Sequence, residues 1–296
     1  MQWFQVKEQS AGKKRLILTW YLYKIFGKKM LHLIAFLVAF FTFVFSSKIR
    51  EYSKKYFKIT ENKTGIKPSL GNEFRHIYSY ANSLADKILV YCGDFDTEQI
   101  IFENDNDKAQ LLSDIESNNG VFFICDHIGN IEVMQALFLN EATQLKHNVN
   151  IFMSNKQSQI FNDFLRSIKK EFPVRFFPVE DIGLTTGIEL KENLEKGEVV
   201  FIAGDRLAQN NDTKSLKAKL FSKDILLPKG TFKLAKLMDV PVYYISAVKI
   251  GKQYKIYLEK QNSLNEKDMI TSYTNYLEKI ILKNPFQFFH FYDFFN

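Results

Sequence analysis

Cysteine is scarce in this chain of 296 residues, with Cys92 and Cys125 the only two. Two thiols cannot build a disulfide framework, and neither stands in the paired spacing of a zinc or haem site. Reduced thiols in a protein facing the cytoplasm, and no metal, are therefore expected. Internal repeats and low-complexity tracts are also missing, which excludes a solenoid or a disordered linker protein. The length suits one large domain, or one domain with a small appendage.

Acidic residues are nearly absent from the first 70 positions, which hold 14 basic and 3 acidic side chains, whereas the remainder holds 26 and 30. The net charge of +7 therefore originates in the N-terminal segment. That segment is also the most apolar, which separates it from the solvated basic stripe of a nucleic-acid binder. A full-length membrane span is missing too. Met30 to Phe45 reads MLHLIAFLVAFFTFVF, roughly 24 Å as a helix at about 1.5 Å per residue, short of the roughly 30 Å hydrocarbon core. Lysines and arginines flank it on both sides, so charge does not choose an orientation. Leu16 to Phe26 is a second, broken apolar stretch. Either two short helices lying on an anionic membrane face or one short span fits this pattern, with a buried core helix as the bland alternative. The run ends in FSSKIREY, without the small-residue cleavage site of a signal peptide.

A polar linker around Glu61 to Asn72 then gives way to alternating strands and helices. Expected strands are Val121–Cys125, Val149–Met153, Val174–Pro178, Glu198–Ala203, Val240–Ile250 and Gln253–Glu259. Expected helices are Ile131–Leu139, Gln157–Glu171, Thr185–Lys196, Gly230–Met238 and Glu266–Lys283. Apolar strands separated by helices predict an α/β fold with a mainly parallel sheet. The last two strands, joined by Gly251-Lys252, predict an antiparallel hairpin. The expected organisation is a membrane-associated helical segment over 1–60 and an α/β domain over 61–296.

The strongest local signal is DHIGNIE, Asp126 to Glu132, directly after one of these strands and before a helix. Turns at the carboxyl ends of parallel strands are where α/β proteins place active sites. His127 can serve as a general base if a carboxylate fixes its tautomer, and Glu132 is the nearest candidate. On one continuous helix a five-residue separation would rotate the two about 140° apart. The helix is therefore expected to begin at Ile131, with Asn130 as its N-cap, Gly129 supplying unusual backbone angles and His127 on the preceding loop. A structural histidine on a loop is the competing reading. Cys125, two residues before His127, admits a Cys–His nucleophile pair, against which stands the apolar strand around the thiol. His32, His76, His147 and His290 lack a neighbouring constellation in the sequence and read as structural or exposed.

HIGNIE resembles the His-x4-Asp/Glu signature of the lysophospholipid acyltransferase superfamily, and most closely the HLGNWE form of bacterial lipid A biosynthesis acyltransferases. FIAGDR (Phe201–Arg206), LPKGT (Leu227–Thr231), DVPV (Asp239–Val242) and HFYDFF (His290–Phe295) resemble further blocks in family order. Two departures stand out: Ile131 occupies the place of the family tryptophan, and Asp205-Arg206 replaces an Asp-Gln pair, so a lipid A substrate is not transferred to this chain. The resemblance implies an acyltransferase fold and an O-acyl transfer from an acyl thioester to a lipid hydroxyl, with His127 as base and Glu132 orienting it. No cofactor is implied, the thioester of acyl carrier protein or coenzyme A being a co-substrate. Backbone N–H groups at the new helix N-terminus, or Arg206, are candidate oxyanion donors, and Gly129 and Asn130 of the turn before that helix are candidate substrate-binding residues. Arg206, Lys223 and Lys229, with the Gly230 turn, are candidate ligands of a donor phosphate. Asp205 is expected to orient Arg206 or to cap its loop. Lys214, Lys217 and Lys219 form a basic patch suited to an acidic carrier protein, or an ordinary solvated loop. A membrane lipid is the expected partner, at the cytoplasmic face of the inner membrane. A thioesterase on the same residues and a non-catalytic membrane scaffold are the alternatives.

Overall fold

Four helices precede the first strand: α1 (Lys13–Phe26), α2 (Lys28–Phe45), α3 (Ser47–Thr64) and α4 (Leu70–Tyr91). The computed structural model describes residues 13–117, 120–139, 147–167, 174–207, 215–263 and 265–295. The linker expected over Glu61–Asn72 is shorter in the structure, because α3 runs to Thr64 and Ser69 caps α4 by accepting a hydrogen bond from the Asn72 N–H. Asn, Glu and Lys read as linker in sequence, yet α3 buries Tyr56 and Phe57 on one face and is held by tertiary packing.

The remaining elements are β1 (Ile100–Phe102), α5 (Asp105–Glu116), β2 (Val121–Gly129), α6 (Ile131–Leu139), β3 (Val149–Met153), α7 (Asn155–Ser167), β4 (Val174–Pro178), α8 (Leu184–Glu195), β5 (Val199–Ala203), β6 (Ser215–Leu220), β7 (Lys223–Pro228), α9 (Lys229–Met238), β8 (Val242–Ile250), β9 (Gln253–Lys260) and α10 (Glu266–Lys283). Seven strands form one sheet in the order β1-β9-β8-β2-β5-β3-β4. All pairings are parallel except β8 with β9, the hairpin expected from sequence. The fold is thus α/β with a mainly parallel sheet flanked by helices. The antiparallel ribbon β6–β7 was not foreseen, since its lysines interrupt the apolar pattern.

The sheet is buried on both faces, which is why its strands read as unbroken apolar runs. Val121, Phe123 and Cys125 of β2 join Phe138, Phe201 and Ile245 in one core, and Phe123 stacks on Phe201 with centroids 4.7 Å apart. Phe122 and Ile124 join Val200, Ile202, Tyr244 and Tyr273 in the other.

Helix α2 lies antiparallel along α4: His32 reaches Asn82, Phe36 meets Tyr78 and Phe43 meets Phe74. Only Leu31, Ala35 and Ala39, spaced as one helical stripe, are buried, 17% of its 18 residues. Leu37, Val38, Phe40, Phe41 and Val44 face outward. This helix is long and apolar enough to cross a membrane by length and composition, and most of its residues are not buried in the protein.

Candidate functional site

The sheet opens at the carboxyl end of β2, whose two neighbours, β5 and β8, are reached by different crossovers, the position where α/β sheets form ligand crevices. β2 and β5 pair in parallel with Cys125 opposite Ala203. His127 and Asp205 both stand two residues past that pair. His127 is not on a free loop as expected, because β2 continues to Gly129. Gly129 pairs with Ala247 of β8 after a register shift from Cys125 opposite Ile245. Such a bulge leaves extra residues on one strand and re-aims their side chains.

Gly129 can be nothing else. Its φ is +76°, and a Cβ there would sit 2.0 Å from the Ala247 carbonyl oxygen. Gly204 has a different constraint: a Cβ would come within 2.6 Å of Ile124 and 2.8 Å of the Tyr273 ring, so only glycine lets the loop after β5 lie against β2.

His127 meets a carboxylate, but not the one expected. Its Nδ1 lies 2.7 Å from Asp205 Oδ1, and its backbone N–H donates to Asp205 Oδ2 over 2.7 Å. A carboxylate partner makes Nδ1 the protonated nitrogen and leaves Nε2 as the basic one. About a third of the His127 side chain is exposed (32%) while Asp205 is fully buried. Burial, and then the nearby Arg206 cation, lower the His127 pKa against the opposing pull of Asp205 and Glu132. Burial opposes ionisation of Asp205, but His127 and His290 outweigh it and hold the carboxyl well below the usual carboxylate range.

Glu132 begins α6 at the expected position, one residue after Ile131. Its carboxylate forms an ion pair with Lys87 of α4 rather than the hydrogen bond to His127 Nδ1. Burial would raise the Glu132 pKa, and Lys87 reverses the shift to a net lowering. Lys87 likewise overcomes its own desolvation through Glu132 and is shifted upward. Glu132 therefore reaches His127 electrostatically, through space. Lys87 was not legible beforehand because α4 is remote in sequence and its register unknown.

The amides of Gly129 and Asn130, just before α6, have internal partners. Gly129 N–H donates to the Gln287 carbonyl over 2.9 Å, and Asn130 N–H to the Ala247 carbonyl over 2.7 Å. The Asn130 side-chain amide donates to the Ser83 carbonyl over 3.0 Å, tying α6 to α4. Arg206 does stand at the site, half-buried, with Nη2 donating to the Phe289 carbonyl over 3.0 Å. Asp205 is bonded to His127, a contact that the expected role beside Arg206 did not include. Lys229 and Gly230 are exposed at the start of α9, whose Thr231 donates to the Ala203 carbonyl over 2.9 Å, beside the site. Lys223 starts β7 and is separated from them by the length of that six-residue strand, roughly 17 Å or more, so the structure does not bring it to His127. Lys217 and Lys219 are exposed on β6, and Lys214 lies outside the described residues.

Cys125 faces the core beneath α6. Its thiol donates to the Ile202 carbonyl over 3.2 Å, and burial pushes its pKa well up. A thiolate nucleophile is disfavoured there.

A family model of bacterial lipid A biosynthesis acyltransferases matches residues 104–296. The chain belongs to that family. The match to the bacterial lipid A biosynthesis acyltransferases spans β2, β5, α9 and the aromatic segment, and so includes His127, Glu132, Asp205, Arg206 and His290; Lys87 and Ser83 of α4 precede it. No curated protein is matched by the sequence.

One histidine read as unremarkable belongs to the constellation. His290 is fully buried and its Nε2 lies 2.8 Å from Asp205 Oδ2. His127, Asp205 and His290 are residue types that also bind cations, with candidate atoms within 4.8 Å of one another. The nitrogens facing Asp205 act there as hydrogen-bond donors, and we assign no metal ligand.

Proposed function

We propose that this member of the family transfers a fatty acyl group from an acyl thioester to a hydroxyl of a membrane lipid or lipid precursor, with His127 as general base. The observation that carries the reading is the 2.7 Å contact of His127 Nδ1 with Asp205 on a side chain still partly exposed. Nε2 takes the proton of the acceptor hydroxyl as its oxygen attacks the thioester carbonyl. The tetrahedral oxyanion then collapses, the C–S bond breaks, and the imidazolium returns the proton to the leaving thiolate. Asp205 fixes the tautomer throughout, and the Glu132 carboxylate, held by Lys87, supports the imidazolium through space. Arg206 is the candidate donor to the oxyanion.

The acceptor enters from a membrane surface. α2 exposes an apolar face while its other side is docked on α4, and α4 supplies Ser83 and Lys87 to the site. A helix docked along its length on a helix of the α/β domain suits attachment parallel to the surface rather than a perpendicular span. Lys217 and Lys219 suit an acidic carrier protein as donor.

The experiment is acyl transfer by the purified full chain, with acyl carrier protein and coenzyme A thioesters compared, in the presence and absence of a bacterial lipid extract. The reading expects a lipid ester only when both substrates are present and none with His127→Ala. Equal thioester consumption without lipid identifies a thioesterase instead.

A further inference from the structure

The segment from Pro285 to Phe295 has no helix, yet the catalytic end of β2 is fastened to it. Phe289 N–H donates to the His127 carbonyl over 3.0 Å and Gly129 N–H donates to the Gln287 carbonyl over 2.9 Å. α3 and α4 seat the segment: buried His76 bonds the Phe288 carbonyl through Nε2 at 2.8 Å and Ser53 through Nδ1 at 2.9 Å. Within this segment His290 sits between Phe288 and Phe294, with both ring centroids 4.3 Å from its own. Its ring lies 5.7 Å from that of His127 at an interplanar angle of 72°.

The hydrogen-bond pattern fixes the state of His290. Nε2 faces a carboxylate and must donate; Nδ1 lies 2.7 Å from the Tyr292 hydroxyl and accepts from it. Asp205 therefore receives three N–H donors, of which two belong to His127 itself. The third comes from a different residue, His290, which is not itself the base. A donor on a carboxylate also draws charge from it and weakens its pull on a neighbouring imidazolium proton.

We propose that His290 is a positioning residue for the acyl-transfer site: its Nε2–H pins the second oxygen of Asp205 and so sets the orientation and the basicity of His127. The proposal rests on the reading of His127 as the base. The other groups facing His127 are Asp205 and Arg206 after β5 and Glu132 of α6 backed by Lys87; buried Asp126 of β2 acts on Asp205 instead. None of these side chains donates to Asp205 Oδ2, where the His127 backbone N–H is the other donor beside His290. In a His290→Phe variant the carboxylate keeps its place in the aromatic packing but loses that donor, and it then holds the His127 proton more tightly. His290→Gln returns a donor at about the same reach.

The test is a proton and nitrogen NMR titration of the imidazoles in the full-length protein in detergent, where five histidines are to be resolved and His127 is assigned through His127→Asn. The expected result is a rise in the His127 pKa of about one unit in His290→Phe, with His290→Gln close to wild type and the acidic limb of kcat/KM moving in parallel. Should the phenylalanine variant not fold, His290→Leu removes the same donor with a smaller apolar side chain and is expected to shift His127 in the same direction. An unmoved His127 pKa, or equal shifts for phenylalanine and glutamine, overturns the proposal and leaves the base reading untouched. A shift seen by NMR with no change in the pH–rate profile upholds the link from His290 to His127 and removes His127 as the base.

Discussion

His127 and Asp205 are 78 residues apart in sequence, yet the pairing of Cys125 with Ala203 on two parallel strands sets them side by side, each two residues beyond the pair. The proposed base and the carboxylate bonded to it thus come from the ends of adjacent strands. The nearer carboxylate in sequence, Glu132, is bound to Lys87.

The outward face of α2 makes a surface prediction. Leu37 and Phe41 are four residues apart and both exposed, while the buried stripe Leu31, Ala35 and Ala39 lies on the α4 side. Leu37→Glu with Phe41→Glu is expected to reduce cosedimentation with anionic vesicles at least about tenfold and to leave the melting temperature within a few degrees. Undiminished vesicle binding would place the membrane contact elsewhere.

Direct transfer, without an acyl-enzyme, follows from the burial of Cys125. Incubation with radiolabelled acyl thioester alone is expected to leave no label on denatured protein, and Cys125→Ser is expected to retain most of the activity. A stoichiometric, hydroxylamine-sensitive label that disappears in Cys125→Ser contradicts this.

Acid should destabilise the fold well above the carboxylate range. Burial lowers both His76 and His290 to about 4, against about 6.5 in an unfolded chain. Between those values the unfolded state binds more protons, so stability rises with pH across the window and is lost as pH falls through it. The expected loss between pH 7 and 4 is roughly 3 kcal/mol for each histidine, read from denaturant midpoints along the pH series. A flat profile from pH 7 to 4.5 would show that these histidines are not buried neutral.

Much of the fold was legible because the chain announces it. Continuous apolar runs such as VFFIC and VVFIA mark strands buried on both faces, and Ile131–Leu139 and Glu266–Lys283 follow their helical periodicity to the residue. His127 and Arg206 were legible as site residues for the same local reason. The partner of His127 was not, since it depends on β5 inserting between β2 and β3, an adjacency that no local pattern encodes. His290 and Lys87 share that difficulty: one lies in an aromatic segment without periodicity, the other on a helix whose facing residues only the packing reveals. The signal that could have paired Asp205 with His127 was the equal offset of the two residues from the ends of two apolar runs.

The most direct measurement compares kcat of Asp205→Asn with that of Glu132→Gln at neutral pH, in variants shown to melt near the wild-type temperature. If Asp205 holds His127 in the tautomer with Nε2 free, the asparagine variant loses about two to four orders of magnitude, while the glutamine variant, deprived only of a charge acting through space, loses about tenfold. A larger loss in Glu132→Gln than in Asp205→Asn would contradict the assignment of Asp205 as the carboxylate that governs His127.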